Sequence, residues 1–350
     1  MKDFRFSLGV TAICLALAAY WGAQSGMGIV GAIILVAVLG VMEVSLSFDN
    51  AVVNASVLKE MSEKWQTIFL TVGILVAVFG MRLFFPIAIV AIATGLGMGE
   101  VTAMALNNPD EYSAHLTSAH AGIATFGGMF LLLVFFSFLL DEEKETHWLE
   151  AIEERLAKLG KIDSAAVLIA LIILFGMYLW LPLDTAAKLT VVSAGLGGVI
   201  LFVAVSSLDS LFESKEGGEE AVKVAKRSGI AAFLYLEVLD ASFSFDGVIG
   251  AFAITRDVVI IMLGLAIGAM FVRSLTVHLV RNGTLDEYIF LEHGAHYAIG
   301  TLAFIMLAGI VVHVSEVITG LIGVAFIALA FFSSLCHKRS GSRYRLNTQK

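Results

Sequence analysis

Charge, sulfur and proline are all scarce in this 350-residue chain, which has 15% charged residues, two cysteines and three prolines. Soluble domains carry about 25% charged and about 45–50% apolar residues. Against that, 15% charged with 59% hydrophobic residues and a mean hydropathy of +0.91 exclude a soluble globular protein. Cys14 and Cys336 both lie in apolar runs, which excludes a disulfide framework and a thiolate metal site. There is no basic excess either. Thirty acidic residues face 22 basic ones with no basic stripe, so nucleic acid is excluded as a partner. Phosphate loops, nucleotide fingerprints and Ser/His/Asp arrangements are also missing. ATP-driven and hydrolytic chemistry therefore find no residues to act through, and no enzyme is expected.

What the chain does have is apolar length. A bilayer-spanning helix needs about 20 apolar residues, and such runs fall at roughly 5–23, 28–57, 66–97, 119–140, 165–182, 187–208, 229–254, 257–279, 295–313 and 316–336. This pattern predicts an all-α, polytopic helical membrane protein of about ten transmembrane helices. Residues 1–27 form an N-terminal membrane helix and 28–140 a first half. A cytoplasmic amphipathic connection (141–163), further membrane helices (164–208) and a flexible linker (209–228) follow, then a second half (229–336) and a basic tail (337–350). In the 141–163 connection Trp148, Leu149, Ile152, Leu156 and Leu159 recur at helical spacing among Glu150, Glu153, Glu154, Arg155 and Lys158. With the N-terminus inside, 18 of the 22 basic residues fall on the inner side and only Lys188 and Arg256 outside. Both termini are therefore expected in the cytoplasm. The 98–118 loop, with Glu100, Asp110 and Glu111 and no Lys or Arg, suits the outer face. Tyr20-Trp21 reads as an interfacial anchor rather than a cleavage site after a secretory signal.

Ionisable groups inside membrane helices are expensive and so demand a reason. Two segments concentrate them with similar wording: Glu43-Val-Ser-Leu-Ser47-Phe48-Asp49-Asn50, and Asp240-Ala-Ser-Phe-Ser244-Phe245-Asp246-Gly247 preceded by Glu237. Both place two acids six residues apart, and each is followed by an apolar run with one arginine, Arg82 or Arg273. These lie 33 and 27 residues past the second acid, and the difference equals the polar insert 59–64. The chain thus reads as an inverted repeat of a two-helix motif unit, as in secondary transporters with a midplane site. On an ideal helix six residues turn through about 240°, so Glu43 and Asp49 share one ligand only if the helix bends or unwinds between them. Ser45 and Ser47 are suited to satisfy the backbone groups this frees. Glu237, Asp240 and Ser244 instead fall on one stripe and read as a path to the site.

Glu43, Asp49, Asp240 and Asp246, supported by oxygens of Asn50, Ser47 and Ser244, make an all-oxygen donor set suited to Mn²⁺, Mg²⁺ or Ca²⁺. Glu237 reads as a path or proton-relay group, and Arg82 and Arg273 as charge balance. Four carboxylates against two arginines leave room for one divalent cation at neutrality, exchangeable for protons. The competing reading is plain interhelical salt bridges between these acids and Arg82 and Arg273. Elsewhere, Glu292-His293-Gly-Ala-His296 and His278 are candidates for metal collection at an inner mouth or for simple helix-end packing. Gly264-Leu-Ala-Ile-Gly268 points to close helix contact within the monomer.

At the paired motifs the sequence resembles the TerC family of bacterial integral membrane proteins, within a larger group that includes LysE-type exporters. The residues that carry the resemblance are Glu43 with Ser47-Phe48-Asp49-Asn50, and Glu237 with Asp240 and Ser244-Phe245-Asp246-Gly247. It implies a multi-pass protein of the bacterial inner membrane that exports Mn²⁺, with the ion as cargo and no permanently bound cofactor. The family name reflects an association with tellurium resistance. This chain departs from the pattern in its extra N-terminal helix, its long 141–163 connection, and Gly247 where the first motif has Asn50. Two rival expectations stand beside export of a divalent cation: a LysE-like exporter of amino acids or organic solutes, and a non-transporting membrane scaffold in a metal-stress complex.

Overall fold

A computed structural model describes residues 3–347 apart from Glu143, Glu145, Asp163, residues 214–228 and His313. Among the described residues every regular element is helical. The first part runs through α1 (Arg5–Gln24), α2 (Ile29–Leu46), α3 (Phe48–Glu60) and α4 (Glu63–Leu75). A π-helical stretch (Val76–Phe84) joins α4 to α5 (Phe85–Thr94). The segment expected as an outer loop folds into two short helices, α6 (Met98–Asn107) and α7 (Pro109–Ser118). Pro109 suits the first turn of α7, where its missing N–H is no loss.

The central helix α8 (His120–Leu139) leads to α9 (Glu150–Ala157), a 3₁₀ turn (Lys158–Lys161), α10 (Ala165–Trp180) and α11 (Thr185–Glu213). The second motif occupies α12 (Gly229–Ile254), followed by α13 (Val258–Arg281), α14 (Thr284–Glu287), α15 (Leu291–Ala308) and α16 (Glu316–Asn347). The 209–228 linker is helical as far as Glu213, and its remainder lies outside the described residues. The basic tail continues α16 as far as Asn347, and its last three residues lie outside the described residues.

All ten expected apolar segments are helical. Among the described residues seven spans are long and apolar enough to cross a bilayer: α1, α2, α4 through α5, α8, α11, α13 and α16. The protein is thus a multi-pass membrane protein, with seven such spans among the described residues, or eight if α9 and α10 form one bent span. The other three segments fall short for physical reasons: α10 has 16 residues, α12 carries Glu237, Asp240 and Asp246, and α15 opens with Glu292, His293 and His296. The outer surface is apolar to match, and α10 turns Leu168, Ile172, Phe175 and Leu179 outward at helical spacing.

Two apolar cores hold the bundle. One surrounds α8, whose residues Met129 to Val134 are almost wholly buried, and draws on α3, α11, α12 and α15. The other joins α1, α2, the 85–118 region and α13. Close approach of α2 and α13 depends on Gly264 and Gly268, since a Cβ at either would collide with Leu39 or Glu43. The small-residue pattern therefore serves packing within the monomer.

Polar contacts sort the connections into two ends. At one end Asp3 accepts from Arg281 Nη1 at 2.7 Å, Lys59 pairs with Asp286 at 3.5 Å and Lys338 with Glu287 at 2.9 Å. At the other, Trp21 Nε1 donates to Asp257 at 2.7 Å while Arg256 donates to Ser113. Asp257 also caps α13, accepting from the N–H groups of Val259 and Ile260.

The 141–163 region holds one short α-helix. Its helix spans only Glu150–Ala157 and, with the turn after it, meets α10 at 97°. Glu153 points into the protein, whereas Leu149, Ile152 and Leu159 are exposed. The reason is a buried partner set for Glu153: Lys144 Nζ lies 2.8 Å away, Tyr297 donates at 3.0 Å, and His293 Nε2 lies at 3.5 Å.

Candidate functional site

The two motif segments lie side by side in the interior, and local backbone decides what each presents. α2 stops at Leu46, and Ser47 leaves helical geometry at φ −111°, ψ 18° before α3 begins at Phe48. That is the break expected between Glu43 and Asp49. By contrast α12 runs unbroken through the second motif. Glu43, Asp49, Glu237, Asp240, Arg82 and Arg273 are each at most 9% exposed, so every charge must be answered locally.

Glu43 is answered by Arg82. The guanidinium reaches it from the π-helical stretch, where Arg82 also donates to the Ala77 carbonyl, and Ser47 Oγ donates to the same Glu43 oxygen at 3.3 Å. Gly247 leaves room for this carboxylate, since a Cβ there would lie 2.6 Å from Glu43 Oε2. Asp240 is answered by three donors. Arg273 Nη2 lies 3.4 Å from Oδ2, and the side-chain amides of Asn50 and Asn54 donate to Oδ1 at 2.7 and 2.9 Å. Arg273 in turn lies over the Phe69 ring at 3.7 Å. Glu237 is buried with no hydrogen bond to either oxygen, against Gly73 and near Arg273.

Ser47, Asn50, Asn54, Arg82, Asp240, Ser244 and Arg273 therefore line one small central cavity of about 20 Å³, room for about one water-sized occupant. Asp49 does not join them. Its carboxylate accepts from the Asn50 N–H and lies against Gly323 of α16, because the break at Ser47 does not turn it toward Asp240. Asp246 falls within α12, but its side chain lies outside the described residues. Among the described residues no three His, Cys, Asp or Glu side chains gather closely enough to hold a metal ion. Arginines and amides are instead the partners of Glu43 and Asp240.

Two larger cavities flank the central one. One of about 190 Å³ is lined by Leu46, His120, Phe243, Gly247 and Gly309, and Phe243 borders the central cavity as well. One of about 270 Å³ is lined by Ser56, Glu60, Asp141, Tyr235, Glu292 and His296. Along α2 and α3 the three are met in the order Leu46, Asn50, Glu60, and along α12 in the order Gly247, Asp240, Tyr235 read backwards. The two motif segments thus run in opposite directions past the same three spaces.

Three of the histidines make local contacts. His293 Nε2 donates to the Thr146 carbonyl at 2.8 Å, His296 stacks on Phe138 at 3.9 Å between ring centres, and His278 pairs with Asp3. Sequence reasoning missed Asn54 and Gly73. Asn54 carried a usable signal, one turn after Asn50 on the same helix face; Gly73 carried none.

Over residues 48–341 the chain matches a family described as "Protein of unknown function (DUF475)". No curated protein and no solved structure matches it. The match begins at the first residue of α3, reaches into α16 and leaves out α1, α2 and Glu43. Because it covers most of the chain, the protein belongs to the DUF475 family.

Proposed function

We propose that this protein exports a divalent cation, Mn²⁺ foremost, across the bacterial inner membrane in exchange for protons. The observation that carries the reading is the row of three spaces along α3 and α12, with buried acids at the central constriction. Its ends are unlike. One has Glu60, Asp141 and Glu292, a polar mouth that suits cation capture; the other is largely apolar. A central space of about 20 Å³ suits one dehydrated ion rather than an amino acid. Intramembrane acids of this kind mark ion pathways.

An inverted repeat is supported by the ion pairs. Matched acids pair with matched arginines, Glu43 with Arg82 over 39 residues and Asp240 with Arg273 over 33. The difference is the six-residue insert 59–64. In this reading α10, α12 and α15 also cross the membrane, giving ten spans. The end bearing Asp3, Lys59, Arg281 and Lys338 faces the cytoplasm, in keeping with its positive charge. Arg82 and Arg273 balance the charge of Glu43 and Asp240 and give way to the cargo. Glu43 and Asp240 take the ion, with Ser47, Asn50 and Ser244 in support and Glu237 relaying protons; Asp49, which lies against Gly323 of α16, joins them by turning inward, and Asp246 is assigned to the site by its motif. The resemblance to TerC proteins supports the choice of Mn²⁺.

The same ion pairs favour a second reading, a non-transporting membrane scaffold in which the acids only hold helices together. Cellular Mn, Mg, Ca and Fe content under manganese load separates the two, using wild type, Asp49→Asn and Asp246→Asn at matched membrane levels. The export reading expects selectively lowered Mn in wild type and loss of that effect in both variants. Unchanged metals in all three overturn it.

A further inference from the structure

Asn50 and Asn54 use only half of each amide. Both Nδ2 groups donate to Asp240 Oδ1 at 2.7 and 2.9 Å, while both Oδ1 atoms are buried without a hydrogen-bond partner. The residues are 5% and 2% exposed and line the central cavity, as does Ser244, whose Oγ is also unpartnered. Two unpaired buried amide oxygens on residues that line one small space are unusual in a folded interior. The present orientation follows from chemistry: an ionised carboxylate only accepts, so the amides facing it present NH₂.

Turning each amide through half a rotation about its last bond exchanges NH₂ for C=O. Nitrogen and oxygen are nearly the same size, so the reversal needs little repacking. It brings Asp240 Oδ1, Asn50 Oδ1 and Asn54 Oδ1 together, an arrangement that repels itself unless a cation lies among the three oxygens. We propose that Asn50 and Asn54 form a carboxamide switch, donating to Asp240 when the site is empty and turning their oxygens onto a divalent cation when it binds. The proposal rests on the cation-export reading. The cation interacts favourably with the turned state alone, which is the differential affinity that a population shift requires.

The test uses full-length protein in lipid nanodiscs, with asparagine labelled at its side-chain carbonyl carbon. The chain has six asparagines, and the other four, Asn107, Asn108, Asn282 and Asn347, stand at helix ends, so the buried pair is spectrally separable. Infrared difference spectra on adding MnCl₂ are expected to show a shift of the labelled carbonyl band. Bound Mn²⁺, followed by electron paramagnetic resonance, is expected to weaken about tenfold or more in Asn54→Leu and to persist in Asn54→Asp, which keeps an oxygen. Mn²⁺ binding by wild type without any carbonyl shift overturns the switch and leaves the export reading standing. Absence of Mn²⁺ binding by wild type overturns both.

Discussion

The carboxylate of Glu237 fills the space that a side chain at Gly73 would need. A methyl group there would lie 2.7 Å from Glu237 Oε1 and 3.3 Å from Arg273 Nη2. Gly73→Ala is therefore expected to cost about 1–3 kcal/mol by overpacking, read as a lower thermal midpoint in detergent. Adding Glu237→Ala vacates the space, and the double variant recovers part of the loss. Equal midpoints for Gly73→Ala and wild type would contradict this placement of Glu237.

Glu43 and Arg82 form a buried pair, and removing one partner strands the other's charge. Arg82→Gln alone is expected to cost about 3–5 kcal/mol, and Arg82→Gln with Glu43→Gln less than the two single changes summed. Manganese content adds what stability cannot. A double variant that reaches the membrane but no longer lowers Mn makes the pair part of transport, and one that still lowers Mn makes it structural.

Glu153 gives a pH signature at the end of the bundle. Burial alone raises its carboxyl pKa, but hydrogen bonds from His293, Lys144 and the Leu149 N–H outweigh burial and hold it below the ordinary 4.5. A folded-state value below the unfolded one means the stabilisation is complete above that ordinary value and is lost as pH falls toward the folded one. Glu153→Gln should therefore destabilise equally at about pH 6 and about pH 8, with the two proteins converging only in stronger acid. Convergence between those two pH values would contradict this account of Glu153.

The two cysteines differ in access: Cys336 is exposed near the end of α16 and Cys14 is buried in α1. A membrane-impermeant maleimide is expected to label Cys336 in inverted vesicles but not in intact cells, and Cys14 in neither. Labelling of Cys336 from outside would reverse the proposed orientation.

Much of this architecture can be read from apolar length alone, because a helix in lipid has few alternatives. The 229–254 run and α12 coincide end to end, and the six-residue spacing of Glu43 and Asp49 anticipates the break at Ser47. Direction of side chains is less legible. Glu153 looks like a solvent-face residue until Lys144, His293 and Tyr297 surround it, and these partners come from distant parts of the chain. Asp49 matches its motif yet turns to α16, a neighbour that local spacing cannot reveal. Gly73 matters only through what Glu237 needs, which is a property of two helices and not of either sequence.

The π-helical stretch carrying Arg82 holds about one more residue per turn than an α-helix would. The wider winding sets the direction in which Arg82 leaves the helix axis, so its buried contact with Glu43 depends on local winding as well as on how whole helices pack.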